Sequence, residues 1–272
     1  MKTLYLLLIL LGFSVNAQNL RIVYEYNFKL DSLNHQPDQE LMYLDITPNV
    51  GSVFQSKTTH DSDSLKVSNT AKIKEIITKN YKENSLETIS QPFSTPVMLR
   101  QPQTYVVEQN LKYKWHISEE RDTISGFDTQ TATMSFGGRK WKAWFTSVLP
   151  IQDGPYKFGG LPGLIVKIES ADKSHSFILK GLKKIKGRIP TPKDYKSSSY
   201  IKLSHKKFKK LEEEFKKDPV RELRIDLMNS QAETSITKNG VVLSDGNRNT
   251  LKTIKKVMLE KMSKENNPIE LN

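Results

Sequence analysis

The chain has 272 residues, no cysteine and a formal net charge of +12, from 42 Lys and Arg against 30 Asp and Glu. Without cysteine, disulfides, thiol catalysis and a lipid-bearing amino-terminal cysteine are excluded. The basic balance points to anionic surroundings but does not choose among nucleic acid, lipid headgroups and acidic glycans.

Lys2 precedes an almost unbroken apolar run over 4–11, and Val15-Asn16-Ala17 follows with small or modest residues. This is the order of a secretory signal peptide cleaved after Ala17. The run is too short for a membrane span, and no second long apolar segment follows. The expectation is a protein of the periplasm or beyond it, with 1–17 removed, 18–272 folded as a single domain and no integral membrane span. An exported protein seldom meets nucleic acid, and the aromatic residues lack the interleaved pattern of a single-strand binding sheet, so no nucleic-acid partner is expected.

Residues 20–28 place Tyr24, Tyr26 and Phe28 on one face by the two-residue repeat, which predicts a strand. Short strands are expected over 41–46 and 50–55. The Ser-, Thr- and Asp-rich stretch 56–70 reads as a polar insertion, with a helical piece near 71–77. Strand signals resume over 104–110, 112–117, 131–136, 140–146, 164–169 and 176–181. Several lie too close together for crossover helices, which favours antiparallel hairpins. Gly137-Gly138 fits a two-residue hairpin turn. Over 204–219, Phe208, Leu211 and Phe215 share a helical face, with Ser204 as the cap and Pro219 as the stop. A second helix over 250–263 carries Leu251, Ile254, Met258 and Met262, after an Asp245-Gly246 turn. The fold class expected is mainly β: an antiparallel sheet, either an open half-barrel or a sandwich, with one or two amphipathic helices packed on it.

No His-Glu-x-x-His or Gly-x-Ser-x-Gly signature occurs, and the histidines at 35, 60, 116, 175 and 205 stand singly. No metal site, cofactor or catalytic residue is assigned. His116 and Glu119 share a helical spacing but sit in a strand-like run. Asp61, Asp63, Glu119, Glu120, Asp122 and Asp153 are the acids from which a hydrolytic carboxylate pair would have to come, and spacing selects no two of them.

The stretch "GPYKFGGLPGLIVKIE", 154–169, is the most unusual in the chain. It lacks the lysine of a phosphate loop and runs into branched aliphatics instead of a helix, so neither a Walker loop nor a dinucleotide fingerprint fits. Pro162-Gly163 suits the centre of a type II turn, with positive φ at Gly163. Gly154, Pro155, Gly159, Gly160, Pro162 and Gly163 are therefore the structural-turn residues. Trp141, Trp144, Phe145, Tyr156, Phe158 and Leu161 gather large apolar groups around them. Two readings of the stretch stay open: a packed corner of the core, or the rim of a hydrophobic or aromatic groove that binds a hydrophobic small molecule, a lipid or an envelope protein. For the whole protein a non-enzymatic binding role is favoured, with an envelope hydrolase using a carboxylate pair and a purely structural or interaction scaffold as the alternatives. Asp153 is expected to accept hydrogen bonds in the Gln152-Asp153-Gly154-Pro155 turn.

The segment "KWKAWFTSVLPIQDGPYKFGGLPGLIVKIE", 140–169, resembles the GLPGLI family of exported Bacteroidetes proteins, whose function is not established. Gly160 to Ile165 spell the family's motif, supported by Trp144-Phe145-Thr146, Pro150, Gly154-Pro155 and the closing "NNPIELN" at 266–272. Relatives commonly carry Ile-x-Gly-Tyr-x-Cys-x-Lys-Ala upstream. Here "ISGFDTQTA", 124–132, has Phe127 for the tyrosine and Thr129 and Thr131 for the cysteine and lysine. The resemblance therefore implies an exported protein of this family and supplies no catalytic residue, and a redox role is not carried over.

Overall fold

The computed structural model describes residues 18–33, 36–62, 75–90, 103–110, 112–189, 200–229, 236–238, 241–243 and 248–271. Residues 1–17, read as a leader from the sequence, Asp63 and the expected Asp245-Gly246 turn lie outside them.

The strands are β1 (Asn19–Phe28), β2 (Asp38–Thr47), β3 (Gly51–Ser56), β4 (Glu75–Asn80), β5 (Ser85–Ser90), β6 (Thr104–Gln109), β7 (His116–Ile124), β8 (Phe127–Phe136), β9 (Arg139–Thr146), β10 (Leu164–Ser170), β11 (His175–Ile185) and β12 (Tyr200–Ser204). They form one sheet in the order β12-β6-β5-β4-β3-β2-β1-β11-β10-β9-β8-β7. Every pairing is antiparallel except β12 beside β6, and the sheet does not close. The mainly β, open antiparallel architecture expected from the sequence is the one found. A small separate ribbon pairs β13 (Ile236–Lys238) with β14 (Val241–Leu243).

β1 shows why these residues form strands. Ile22, Tyr24, Tyr26 and Phe28 are all buried and alternate with less buried neighbours. Tyr26 stacks on Phe28 and on Phe177 of β11, at 4.6 and 4.3 Å between ring centres. The β8–β9 hairpin turns through Gly137 and Gly138 with φ of 58° and 76°, as a two-residue turn matched to strand twist requires. Register shifts interrupt β1–β11 at Val23/Tyr24 and β9–β10 at Ile165/Lys167, and such bulges bend and twist a sheet.

Two expectations are corrected. Glu75, Ile76 and Ile77 belong to β4, not to a helix, because they pair with Ser90, Ile89 and Thr88 of β5. Within 112–117 only His116 and Ile117 are strand. Tyr113 and Trp115 lie before β7, where their polar atoms bond to a neighbouring loop. Part of the polar stretch 56–70 is a short helix, α1 (Lys57–Asp61), capped by the Ser56 hydroxyl at 2.9 Å from the Thr59 N–H.

The carboxy-terminal helices are α2 (His205–Lys217), α3 (Arg221–Asn229) and α4 (Arg248–Lys264). α2 lies on the β6–β12 edge and sets Phe208 against Tyr105, 5.7 Å between ring centres. Ser204 is its N-cap but makes no side-chain cap bond. Val220, Leu223, Ile254 and Met258 form a cluster that packs α4 against α3 and the residue before it. No described helix is long and apolar enough to cross a membrane.

The chain end is tied down by β9 and β11. Arg139 donates to the carbonyls of Pro268 and Ile269 and to Asn267 Oδ1, and pairs with Asp172 at 2.6 Å. His175 is fully buried, with Nδ1 2.8 Å from the Tyr26 hydroxyl and Nε2 3.1 Å from the Asn267 carbonyl. These partners assign the neutral ring with the proton on Nε2. Burial, assisted by the Arg139 charge, lowers its pKa from 6.5 to about 4. The unfolded chain therefore binds the extra proton first, so this group's stability is complete above pH 6.5 and is lost as pH falls towards 4. At about 1.4 kcal/mol per unit the loss is on the order of 3 kcal/mol. Urea unfolding between pH 7 and pH 4 checks this: the His175→Gln variant loses distinctly less stability over that range than the natural protein.

Candidate functional site

The glycine-rich loop, 149–163, runs from β9 to β10 through the interior. Residues 153–159 are all buried. A buried loop has no ladder to take its backbone polar groups, and each orphan costs about 1–3 kcal/mol. Here the groups are matched individually. Gly160 N–H donates to Gln152 O, Ile165 N–H to Asp153 O, and Phe158 N–H to Pro155 O. Side chains take the other carbonyls: Tyr113 Oη bonds Lys157 O at 2.8 Å and Trp115 Nε1 bonds Gly159 O at 2.8 Å. Lys79 Nζ bonds both Gly154 O and Phe158 O at 2.7 Å.

The third donor of that ammonium goes to Asp153 Oδ1 at 2.5 Å. Asp153 also accepts from Ser52 Oγ at 2.5 Å, Tyr81 Oη at 2.6 Å and the Gly154 N–H at 2.7 Å. Its carboxylate is fully occupied. Burial pulls the Lys79 pKa down while Asp153 opposes the fall. Burial and then Asp153 push the Tyr81 hydroxyl well up, so it remains a donor. The period-two alternation of β4 brings Lys79 to the core face shared with Ile77, and Tyr81 follows from the turn.

The apolar residues proposed for a groove are core. Trp141 is 1% exposed, Trp144 6%, Tyr156 5% and Phe158 0%, while Phe145 and Leu161 are also buried. Phe54 of β3 meets Tyr156 at 6.5 Å, Tyr156 meets Phe158 at 6.2 Å, and Phe158 meets Trp141 of β9 at 4.8 Å. β3 and β9 are five strand spacings apart, roughly 24 Å on a flat sheet. The loop thus lies across the inner face and fills it. None of the six residues lines the two cavities described below. Trp144 is flanked by two ammonium groups, Lys167 at 4.2 Å and Lys142 at 5.0 Å from its ring centre.

Of the structural-turn residues, Gly154, Pro155, Gly159 and Gly163 are buried, whereas Gly160 and Pro162 are exposed. The type II turn is not what forms. Gly163 N–H donates back to Leu161 O at 2.7 Å, a three-residue turn about Pro162, and Leu164 N–H goes to Leu149 O. Gly163 has φ of 157°, and a Cβ there would lie 2.1 Å from the Thr146 carbonyl oxygen. Close approach of backbone to β9 is therefore the main demand for glycine.

A second charged group holds the loop to the chain end. Lys157 Nζ and Tyr156 Oη each lie 2.6 Å from Glu270 Oε1. Burial lowers Lys157, but Glu75 and Glu270 more than offset it and its pKa is raised. Burial raises Glu270, and Lys157 reverses this to leave it lowered. Glu75 is raised, first by burial and then by Glu270, against Lys157. Glu75 and Glu270 escaped sequence reasoning, since nothing local marks either as a core acid. Of the acids named from sequence, Asp61 pairs with Lys57 and His60, Glu119, Glu120 and Asp122 lie on exposed β7, and Asp153 is occupied. Among the described residues no group of three or more His, Asp or Glu is arranged to hold a metal.

On the other side of the loop wall lies a cavity of about 590 Å³. The β2–β3 turn supplies Pro48 and Asn49, the β4–β5 turn Tyr81 and Asn84, and the loop Ile151, Gln152, Asp153, Gly159 and Gly160, with Tyr113 alongside. A neighbouring cavity of about 750 Å³ shares Lys79, Asn80, Ser85 and Leu86 with it.

Fold and site together define a class: an open antiparallel sheet whose inner face is plugged by its own glycine loop and chain end. The model of a protein family of unknown function, Porph_ging, matches residues 54–167, from β3 through the loop into β10. That match is consistent with the resemblance drawn from residues 140–169. No functionally curated protein matches the chain. Among solved structures, PNGF-II in its P21 and C2 crystal forms is similar in fold, with a TM-score of 0.53 and 17% identity for each. The likeness covers 71% of this chain and 33% and 32% of those chains, so this chain spans about a third of their length.

Two substitutions test the wall. Lys79→Met leaves Asp153 uncompensated and two buried carbonyls without donors, and should cost about 3–5 kcal/mol in urea unfolding. Gly163→Ala, forced against Thr146, should cost about 2 kcal/mol or more, against less than about 1 for Pro162→Ala. Equal stability of the two loop variants would show that the approach to β9 is not tight.

Proposed function

We propose that the protein is a non-enzymatic binding module of the cell envelope, with its ligand site in the 590 Å³ cavity beside the glycine loop. The size falls in the range of about 300–1,000 Å³ usual for small-molecule sites. The observation that carries the reading is the wall itself. The loop is fixed by Lys79, Asp153, Tyr113 and Trp115, which presets the shape of the cavity. A preset site avoids the ordering cost of binding. The apolar residues first proposed as lining support the same site from behind, as the packing that holds the wall. The signal-peptide pattern read over residues 1–17 is what supports the envelope location.

Gln152 is exposed at the cavity and its side chain holds no part of the wall. The Gln152→Trp variant should therefore keep its melting temperature within about 2 °C and fill the space with an indole. Native mass spectrometry of the protein isolated from its own envelope should show a bound mass that this variant lacks. If neither protein carries a ligand, and a small-molecule thermal-shift screen stabilises neither, the reading fails.

A second reading, an envelope hydrolase, is favoured by one observation. Glu270 lies 2.6 Å from Lys157 Nζ and Glu75 acts on the same ammonium. Burial raises Glu75 and, against burial, Lys157 lowers Glu270, and carboxyls pushed apart in this way can divide acid and base roles. Glu75→Gln separates the two readings. Loss of an envelope phenotype with unchanged unfolding and unchanged ligand occupancy would support the hydrolase.

A further inference from the structure

The groups around the cavity divide into those already occupied and those free to meet a ligand, and that division selects a ligand class. Asp153 accepts four hydrogen bonds and Lys79 donates three, so the floor presents no unpaired charge to a charged ligand. Lys184 at the rim is exposed, and water and salt screen it there. The hydroxyls of Tyr81 and Tyr113 are both engaged, with Asp153 and with the Lys157 carbonyl. Each ring is thus anchored at its polar end. Tyr81 is nonetheless 37% exposed, so much of its surface faces outward. What remain are two fixed aromatic surfaces and neutral amides, notably Asn49, Asn84 and Gln152, all exposed at the mouth.

An amide offers a donor and an acceptor side by side, which matches a pair of vicinal hydroxyls, and an immobile aromatic surface matches the C–H face of a sugar ring. A peptide adding as a strand finds no place here. β2, β3, β4 and β5 are each paired on both sides, whereas strand addition requires a free edge. A nucleotide or other phosphate ligand would need a free cation inside the cavity; Lys79 on its floor is fully engaged, and Lys184 stands only at the solvent-screened rim.

We propose that this cavity binds a neutral saccharide, held by the Tyr81 and Tyr113 rings and by the amides of Asn49, Asn84 and Gln152. The proposal rests on the reading of the cavity as the ligand site. Maltotriose, cellotriose and triacetylchitotriose are titrated through the millimolar range into the isotope-labelled protein, after a neutral-glycan array has shown which linkages are retained. At least one neutral oligosaccharide should shift the backbone amides of Gly159, Gly160 and Asn84 and the side-chain amide of Gln152. Tyr81→Ala should weaken binding more than tenfold, whereas Tyr81→Phe, which keeps the ring, stays within about threefold. Gln152→Ala, which leaves the wall intact, should weaken binding about threefold or more. The proposal is overturned if no neutral glycan is retained, or if a retained one shifts residues elsewhere. Tripeptides and a fatty acid are titrated in parallel. A non-saccharide that shifts the same amides overturns the ligand class and leaves the site standing. If nothing of any class reaches those amides, both fall.

Discussion

The structure depends on burying an irregular stretch of backbone inside a sheet. Strands satisfy one another's amides, but a loop pressed onto the inner face cannot, and its carbonyls must find donors from elsewhere. Lysine is the side chain that can serve several scattered acceptors from one atom, having three donors on a rotatable ammonium. Lys79 serves Gly154 O and Phe158 O in that way. Its charge then requires a counter-charge at the same depth, and Asp153 supplies it. Asp153 in turn has lone pairs left over, which Ser52, Tyr81 and the Gly154 N–H fill. One requirement, that no buried carbonyl be left bare, thus generates the whole charged network.

Buried ion pairs are often no better for stability than apolar residues of similar size. That comparison does not transfer here. Replacing Lys79 and Asp153 together by apolar side chains would remove the desolvation cost of two charges, yet it would orphan two loop carbonyls and the Ser52 and Tyr81 hydroxyls. The second pair, Lys157 with Glu270, works across a different gap: it joins the glycine loop to the chain end that Arg139 and His175 hold against β9 and β11. Gly137 takes part too, since Leu271 N–H bonds its carbonyl and a Cβ there would press on Glu270. Two segments far apart in sequence, 154–165 and 266–271, are therefore one structural unit.

Much of the sheet was legible. The repeat of Tyr24, Tyr26 and Phe28 marks β1, and Gly137-Gly138 marks the β8–β9 turn, because both signals are local. β4 was hidden because its core face carries Glu75 and Lys79, and a strand with charges on its inner side has no apolar alternation to read. Tyr113 and Trp115 looked like strand residues since their alternation is right, but their hydrogen bonds to the loop are long-range and leave no local trace. Pro162-Gly163 was read from dipeptide preference as a type II turn, and the proximity of Thr146, invisible in sequence, imposed a different one. Sequence also located the aromatic cluster correctly as a cluster. What it could not supply was which side of the loop is packed and which faces open space.

That last distinction decides how the fold relates to binding. In an open sheet the concave side is the natural place for a ligand, yet here Phe54, Tyr156, Phe158 and Trp141 occupy it with the protein's own rings. The open space lies on the far side of the plug, between the β2–β3 and β4–β5 turns. A wall built from glycines at that point has a physical advantage. Gly160 adopts φ of 78°, and a Cβ would strike the Tyr113 ring at 2.5 Å, so its bare backbone lets the ring close up against the loop. On the cavity side Gly159 and Gly160 add no side chain, and the contours are set by Ile151 and Gln152 of the loop and by groups that reach in from neighbouring turns. Changing Asn49 or Asn84 would alter the contours of that cavity without touching the hydrogen-bonded interior, whereas a change to Tyr81, Lys79, Asp153 or Gly163 would disturb the interior first. On the proposed reading, recognition and folding are carried by opposite faces of one loop.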